Sequence, residues 1–359
     1  MYNLGKLHKK IYKINDKKIF NQKLSWYLAL PIIVINGWAL LQIFQYFGRI
    51  ITIVVSATLL SFLLDYLVIF LQKHKVKRPR AVILVFLVAL VIILVLGVIL
   101  IPLLLEQLTG FIEKFPSWLA SGNQQLESFD QWADKRKLPI NLTLWTNQFT
   151  ENLSSQLQDI TGDIISFIVN TLGRIFDILI TIIITFYLML HGDRLWDGIF
   201  NWLPNHLEIH VRKSLRQNFQ NYFIGQATLA CLMGVAMTIG LLLLGAPFGL
   251  LFGIGIGLMT LIPFGTALGV TLVSLLITLE DFWLGIKVLI VIVLIEQAIE
   301  NFIAPRILGG FTGLNPVWIL VSLLVGAQVW GVLGLLIAVP IAGFVKNTVN
   351  YLRYYSEFN

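Results

Sequence analysis

The sequence predicts an all-α polytopic membrane protein, and three observations carry that prediction. Hydrophobic residues fill 57% of the 359 positions and charged residues only 13%, whereas a water-soluble domain is about half apolar and about a quarter charged. The apolar residues gather into about eight segments, most of them near the roughly 20 residues that a helix needs to cross a bilayer. The lysines and arginines number 26, for a formal net charge of +7, and they fall in short runs beside the apolar segments. That placement fits anchors at a cytoplasmic lipid surface and argues against a nucleic-acid partner.

In chain order, residues 1–23 form a basic tail with Lys6, Lys9, Lys10, Lys13, Lys17, Lys18 and Lys23. The apolar run from Leu24 to Phe47 is longer than a secretory signal core and no small-residue cleavage site follows it, so it reads as a retained first membrane helix. Runs at 50–72 and 81–105 add a second and a third, completing a group over 24–105, with Lys73, Lys75, Lys77, Arg78 and Arg80 between them. Residues 106–163 are hydrophilic, with eight acidic and four basic side chains, and Trp118, Trp132, Trp145, Phe111, Phe115, Phe129 and Phe149 are spaced through them. This stretch reads as an external arm of amphipathic helices whose aromatics rest at headgroup level or on the protein itself.

A fourth membrane helix follows at 164–190, then a cytoplasmic loop at 191–220. A carboxy-terminal transport region spans 221–345, with segments at 221–246, 248–279, 282–304 and 316–345, before a tail at 346–359. If the amino terminus is cytoplasmic and all eight segments cross, the cytoplasmic pieces hold 18 of the 26 basic residues. Both termini are therefore expected inside, and paired re-entrant hairpins would leave that answer unchanged.

Two of the late segments read as broken or re-entrant. LIPFGTALG at 261–269 interrupts the sixth, where Pro263 lacks an amide donor and Gly265 and Gly269 loosen the backbone. The seventh has only about 14 apolar residues before Glu296, short of a crossing. Irregular backbone at membrane depth persists only inside protein or beside a wet cavity, so these breaks mark the working part.

Among candidate motifs, GIGIG at 253–257 lacks the third glycine of a dinucleotide fingerprint, and Gly253 and Gly257 fit close helix packing instead. HLEIH at 206–210 has two histidines at metal-ligand spacing, but its glutamate is one position late for a zincin, so a solvated surface pair is favoured and no metal is expected. Arg174 and Asp177 are spaced for a structural ion pair. Asp65, Gln226 and Gln328 stand isolated in their spans, each expected to bond to a neighbouring helix. The single Cys231 excludes an internal disulfide, and it has no nearby histidine to make a hydrolase.

The densest polar group within apolar surroundings is VLIEQAIENFIAPRI at 293–307. Glu296 and Glu300 are one helical turn apart, so the pair can carry a proton or hold a cation, with Arg306 or Lys287 available to offset its charge. Gln297, Asn301 and Gln226 add hydrogen-bonding capacity. The competing reading is a wet helix end with its carboxylates in water.

Beyond that turn come Pro305, Gly309 and Gly310, the corner of Gly313, Leu314 and Pro316, the glycines Gly326, Gly331 and Gly334, and the ending Ala338 and Pro340. In these residues the chain resembles the autoinducer-2 exporter family of bacterial membrane transporters. FYLMLHGDRLW at 186–196, YFIGQ at 222–226, LGAP at 244–247 and IPFG at 262–265 follow the family's order. Where the family commonly has a second proline in the sixth-span break this chain has Phe264, Gly265 and Thr266, and Asn315 stands where a histidine is usual.

The resemblance implies a multi-pass protein of the bacterial inner membrane, homo-oligomeric as a pentamer, in which a mobile part moves against a scaffold. It further implies secondary export of a small polar, autoinducer-2-like molecule coupled to a proton or cation. Pro263, Gly265, Pro305, Gly309, Gly310, Gly313 and Pro316 would act as hinge or broken-helix positions. No cofactor and no enzymatic activity are expected, and no GxxxxGK[ST] nucleotide motif occurs in the sequence. A cation/proton antiporter and a non-transporting membrane scaffold that binds through the 106–163 arm are the alternatives.

Overall fold

The computed structural model describes residues 36, 42, 46–136, 175–202, 204–308 and 314–358. Among these the protein is all-helical, and six helices are long and apolar enough to cross a membrane. The expected first span at 24–47 is almost entirely outside the described residues, as are Trp145, Phe149, Arg174, Gly309, Gly310 and Gly313. The chain divides into a unit at 1–55 and a unit at 56–359. Of the first, the described residues begin helix α1 (Gly48–Lys73), with Tyr46 edge-on to Phe47 at 5.0 Å.

In the second unit α1 ends in a tight turn, where Lys75 adopts a left-handed φ of 67°, and the chain re-enters as α2 (Arg78–Lys135). Helix α3 (Ile175–Phe200) packs with both around Met189, Val68, Val82 and Val85. Asp65 of α1 bonds to neighbouring helices, as expected from its isolated place in the apolar span. Its carboxylate accepts from Arg78 Nη2 at 3.2 Å and from Arg216 Nη2 at 3.1 Å, and Arg78 also donates to the Met189 carbonyl at 3.2 Å. The partners of Asp65 are 13 and 151 residues away in sequence, so only folding brings them together. Asp65→Ala leaves two guanidinium groups facing each other; with these partly exposed it is expected to destabilise by about 1–2 kcal/mol, read as a lowered melting temperature of the purified protein.

Helix α2 is 58 residues long, about 87 Å, and runs without interruption from the third apolar segment into the arm. Pro102 and Pro116 are inside it. The arm's aromatics divide: Phe111, Phe115 and Trp118 are buried against the protein, while Phe129 and Trp132 are exposed.

Helix α4 (Asn205–Leu243) is the spine of the carboxy-terminal region. The apolar run at 248–279 does not cross as one helix. It forms α5 (Gly249–Met259) and α6 (Gly265–Glu280), of 11 and 16 residues, about 16 and 24 Å long and each too short for a bilayer core of roughly 30 Å. Glycines set how closely α5 approaches α4. A methyl group on Gly257 would be 2.6 Å from Gly234 Cα, and one on Gly253 would be 2.5 Å from Thr238 Cα. The GIGIG motif is thus a packing surface.

One stretch of α2 touches both ends of this hairpin. Gln107 Oε1 accepts from Leu251 N at 2.9 Å, and Gln125 Nε2 donates to the carbonyls of Leu279 and Glu280, each at 3.3 Å. Both ends therefore lie on the flank that carries the arm, as in a re-entrant loop.

Helix α7 (Phe282–Ala298) starts one residue after α6, capped by Asp281, whose side chain accepts from Leu284 N at 2.8 Å. The expectation of a short or broken seventh segment needs correction. Glutamate and glutamine are strong helix formers, and the helix continues through a π-helical turn (Ile299–Ile303) into α8 (Ala304–Leu308). Ala304 N donates five residues back to the Ile299 carbonyl. The wider turn lets Pro305, which has no amide donor, enter without breaking the helix.

The opposite correction applies to the eighth segment, which reads in the sequence as an unbroken span. Helix α9 (Pro316–Phe358) contains non-helical backbone at Trp330 and Gly331, Gly331 with φ 58°. A methyl group on Gly326 would meet the Gly334 carbonyl carbon at 2.8 Å and the Ala338 Cβ at 3.1 Å. In a straight helix residues eight apart are about 12 Å apart along the axis, so the chain folds back on itself. Asn315 caps this hairpin, its Oδ1 accepting from Val317 N at 3.0 Å.

Candidate functional site

Hairpin α5–α6 brings an irregular tip against the middle of α4. Leu261 and Ile262 close the turn, with Gly265 N donating to the Ile262 carbonyl at 2.9 Å. A methyl group on Gly265 would collide with the Met259 carbonyl, so glycine is required there. Phe264 takes a left-handed φ of 66° with its ring exposed, a conformation that costs a bulky residue about 1–2 kcal/mol. Pro263 is half-buried beside it.

Gln226 of α4 braces this tip. It is buried, and its Nε2 donates to the Thr260 carbonyl; the Thr266 hydroxyl donates to Thr260 Oγ1 at 3.2 Å. One turn earlier, the Tyr222 hydroxyl is buried with no hydrogen-bond partner among the described residues. The ring of Tyr222 packs with Leu323, Ala338 and Val339 of α9, and Ile262 from the first tip joins the same cluster. The two hairpins thus meet beside a polar strip of Tyr222, Gln226, Thr260 and Thr266. Sequence reasoning singles out only Gln226 here. Tyr222 opens the YFIGQ stretch, and its unpaired hydroxyl is the mark that sets it apart.

Glu296 is elsewhere. It is 8% exposed on α7, makes no hydrogen bond to another described residue, and the charge that bears on it is that of Glu300. Ile295, its neighbour, packs toward Gly240 of α4, fourteen positions and about 21 Å along the helix from Gln226. The structure therefore does not join Gln226 to the carboxylates. Of the remaining polar residues in this turn, Gln297, Glu300, Asn301 and Arg306 are exposed on the chain's surface, and Asn301 Nδ2 donates to Gln297 Oε1 at 2.7 Å. Pro305 and Pro316 are exposed as well. Gln328, expected to bond to a neighbour, is exposed and makes no hydrogen bond to another described residue.

Among the described residues no three of His, Cys, Asp and Glu come close enough together to hold a metal ion. The arrangement is instead a buried carboxylate within a continuous helix, flanked by a π-helical turn, and a separate polar strip where the tip of hairpin α5–α6 meets the arms of the α9 hairpin. Broken backbone of this kind in a membrane protein lines a cavity or a moving contact.

A family model described as "AI-2E family transporter" matches residues 28–354. The chain is 41% identical over 324 residues to the provisionally named transport protein sll0060 of Synechocystis sp., covering 90% of this chain and 94% of that one. It is 42% identical over 343 residues to the provisionally named transport protein sll0063 of the same organism, covering 94% and 87%. With the provisionally named permease PerM of Escherichia coli, the identity is 24% over 332 residues, covering 90% and 92%.

Proposed function

From the premise that this chain belongs to the AI-2E transporter family, we propose that it is a secondary transporter exporting a small polar solute in exchange for, or together with, a proton or cation. The observation that carries this reading is the buried Glu296 carboxylate beside the π-helical turn. An ionisable group buried at membrane depth is costly unless it is used. The solute's polar groups are received where the α5–α6 tip meets the α9 hairpin, by the Tyr222 hydroxyl and the Gln226 amide. Movement of the tips relative to α4, over the small glycine contacts, changes the side from which the strip is reached.

Both termini sit in the cytoplasm. Hairpin α5–α6 enters from outside and the α9 hairpin from inside, so α7 and α8 carry Arg306 to the cytoplasmic side, as the positive-inside rule favours. Gln297, Glu300 and Asn301 on the outer face of a membrane helix are unfavourable against lipid, which supports their being covered by a further copy of the chain in a homo-oligomer. The exposed carboxylate Glu300 favours one second reading, exchange of a cation against protons with no organic solute. Flux of labelled solute and of cations in proteoliposomes separates the two.

The test of the moving-tip mechanism is accessibility. With Cys231 replaced by serine and Thr266 by cysteine, an impermeant maleimide is expected to label from either face, with the preferred face changing with the imposed proton or solute gradient. Labelling from one face under every gradient would mean a fixed loop and would refute the mechanism.

A further inference from the structure

The second histidine of the HLEIH motif helps to build a cavity that the transport reading leaves unused. His210 stacks on Tyr351 of α9, ring centroids 3.8 Å apart and nearly parallel at 11°. Its Nε2 is buried with no hydrogen-bond partner among the described residues. Beside this stack is a cavity of about 460 Å³ between the first turns of α4 and the last part of α9.

From α4 the lining contributes Lys213, Ser214 and Gln217; from α9 it contributes Asn347 and Asn350. Ser214 is 6% exposed, and its oxygen accepts from Asn218 Nδ2 at 3.1 Å, which leaves the hydroxyl hydrogen to donate. Asn347 Nδ2 reaches the Asn218 side-chain oxygen at 3.4 Å, so one buried asparagine positions groups on both walls.

The chemistry of this set is one-sided. An ammonium, three carboxamides, a hydroxyl and an imidazole face the cavity, and among the described residues no aspartate or glutamate lines it. A cation with several convergent neutral donors and no opposing carboxylate matches an oxyanion, whose oxygens accept from many donors at once. The cavity also lies just beyond the apolar stretches of both helices in sequence, where a headgroup phosphate can reach it if those stretches span the bilayer.

We propose that this cavity binds a phosphate group, supplied either by a free phosphorylated anion or by the headgroup of an anionic lipid, which then bridges α4 to α9. This claim does not depend on the transport reading, and its test measures binding without flux. The full chain in neutral detergent is melted with inorganic phosphate against chloride at matched ionic strength. It is then melted in nanodiscs of zwitterionic lipid with and without phosphatidylglycerol. A rise of about 5 °C is expected at a large excess over Kd in the arm that supplies the right source.

Lys213→Gln combined with Asn350→Leu is expected to abolish that rise while melting normally without anion, and Lys213→Arg is expected to keep it. A rise with phosphate in detergent assigns a free anion, and a rise only with the anionic lipid assigns a headgroup. No rise in either arm, or an equal rise in the double variant, overturns the proposal. Should the double variant fail to fold, labelled orthophosphate or lipid retained by the native chain and lost in Lys213→Gln alone decides, and equal retention overturns the proposal.

Discussion

Replacing Glu296 by glutamine is expected to lower transport by about ten- to a hundredfold, equivalent to about 1.4–2.7 kcal/mol, and to flatten its dependence on pH. The amide has the size and shape of the carboxylic acid, and Glu296 makes no hydrogen bond to another described residue, so the fold has little reason to change. The variant should melt at or above the native temperature, because removing a buried charge relieves desolvation. Glu300 is exposed, and Glu300→Gln is expected to act more weakly. Flux and pH profile measured in proteoliposomes decide the matter: an E296Q protein with native rate and native pH response removes the carboxylate from the mechanism.

Gly257→Leu is expected to be among the most damaging single changes in the carboxy-terminal region. A side chain there meets backbone on two fronts, Gly234 Cα at 2.6 Å and the Ala230 carbonyl oxygen at 2.9 Å, and backbone does not swing away as a side chain can. Separating α4 from α5 would also dislodge the Gln226 brace at the hairpin tip. A loss of about 3 kcal/mol or more is expected, at the upper end for overpacked interiors. Gly255, two positions earlier on the same helix, faces open space: a methyl group there would have no neighbour within 4 Å, and Gly255→Leu should stay within about 0.5 kcal/mol. Yields of monodisperse protein and melting temperatures read both; equal behaviour of the two variants would mean the close crossing does not hold the region together.

The membrane class, the break at Pro263 and the packing role of Gly253 and Gly257 were legible in the sequence because each rests on a local signal: apolar length, a missing donor, a four-residue spacing. The second hairpin was not. Its bend at Trp330 and Gly331 has no proline and no polar residue, and a glycine in a membrane helix looks the same whether it packs or turns. Pro340, the more obvious breaker, is buried within the helix. The seventh segment misled in the opposite direction, since polar side chains that lower hydropathy do not lower helix propensity. The clamp on Asp65 and the strip around Tyr222 depend on residues distant in sequence, which periodicity does not reveal.

The unbroken course of α2 has a mechanical consequence. One end is pinned where Arg78 grips Asp65 and the Met189 carbonyl, and the base of hairpin α5–α6 hangs from Gln107 and Gln125. A rod held in this way is a lever with its pivot at the clamp: tilting it by about 5° carries Gln107, about 44 Å away, through about 4 Å. The hairpin is held by α4 and α7 as well as by this rod, so a change in the rod's angle has to be taken up at one of those contacts or by bending at Pro102 and Pro116.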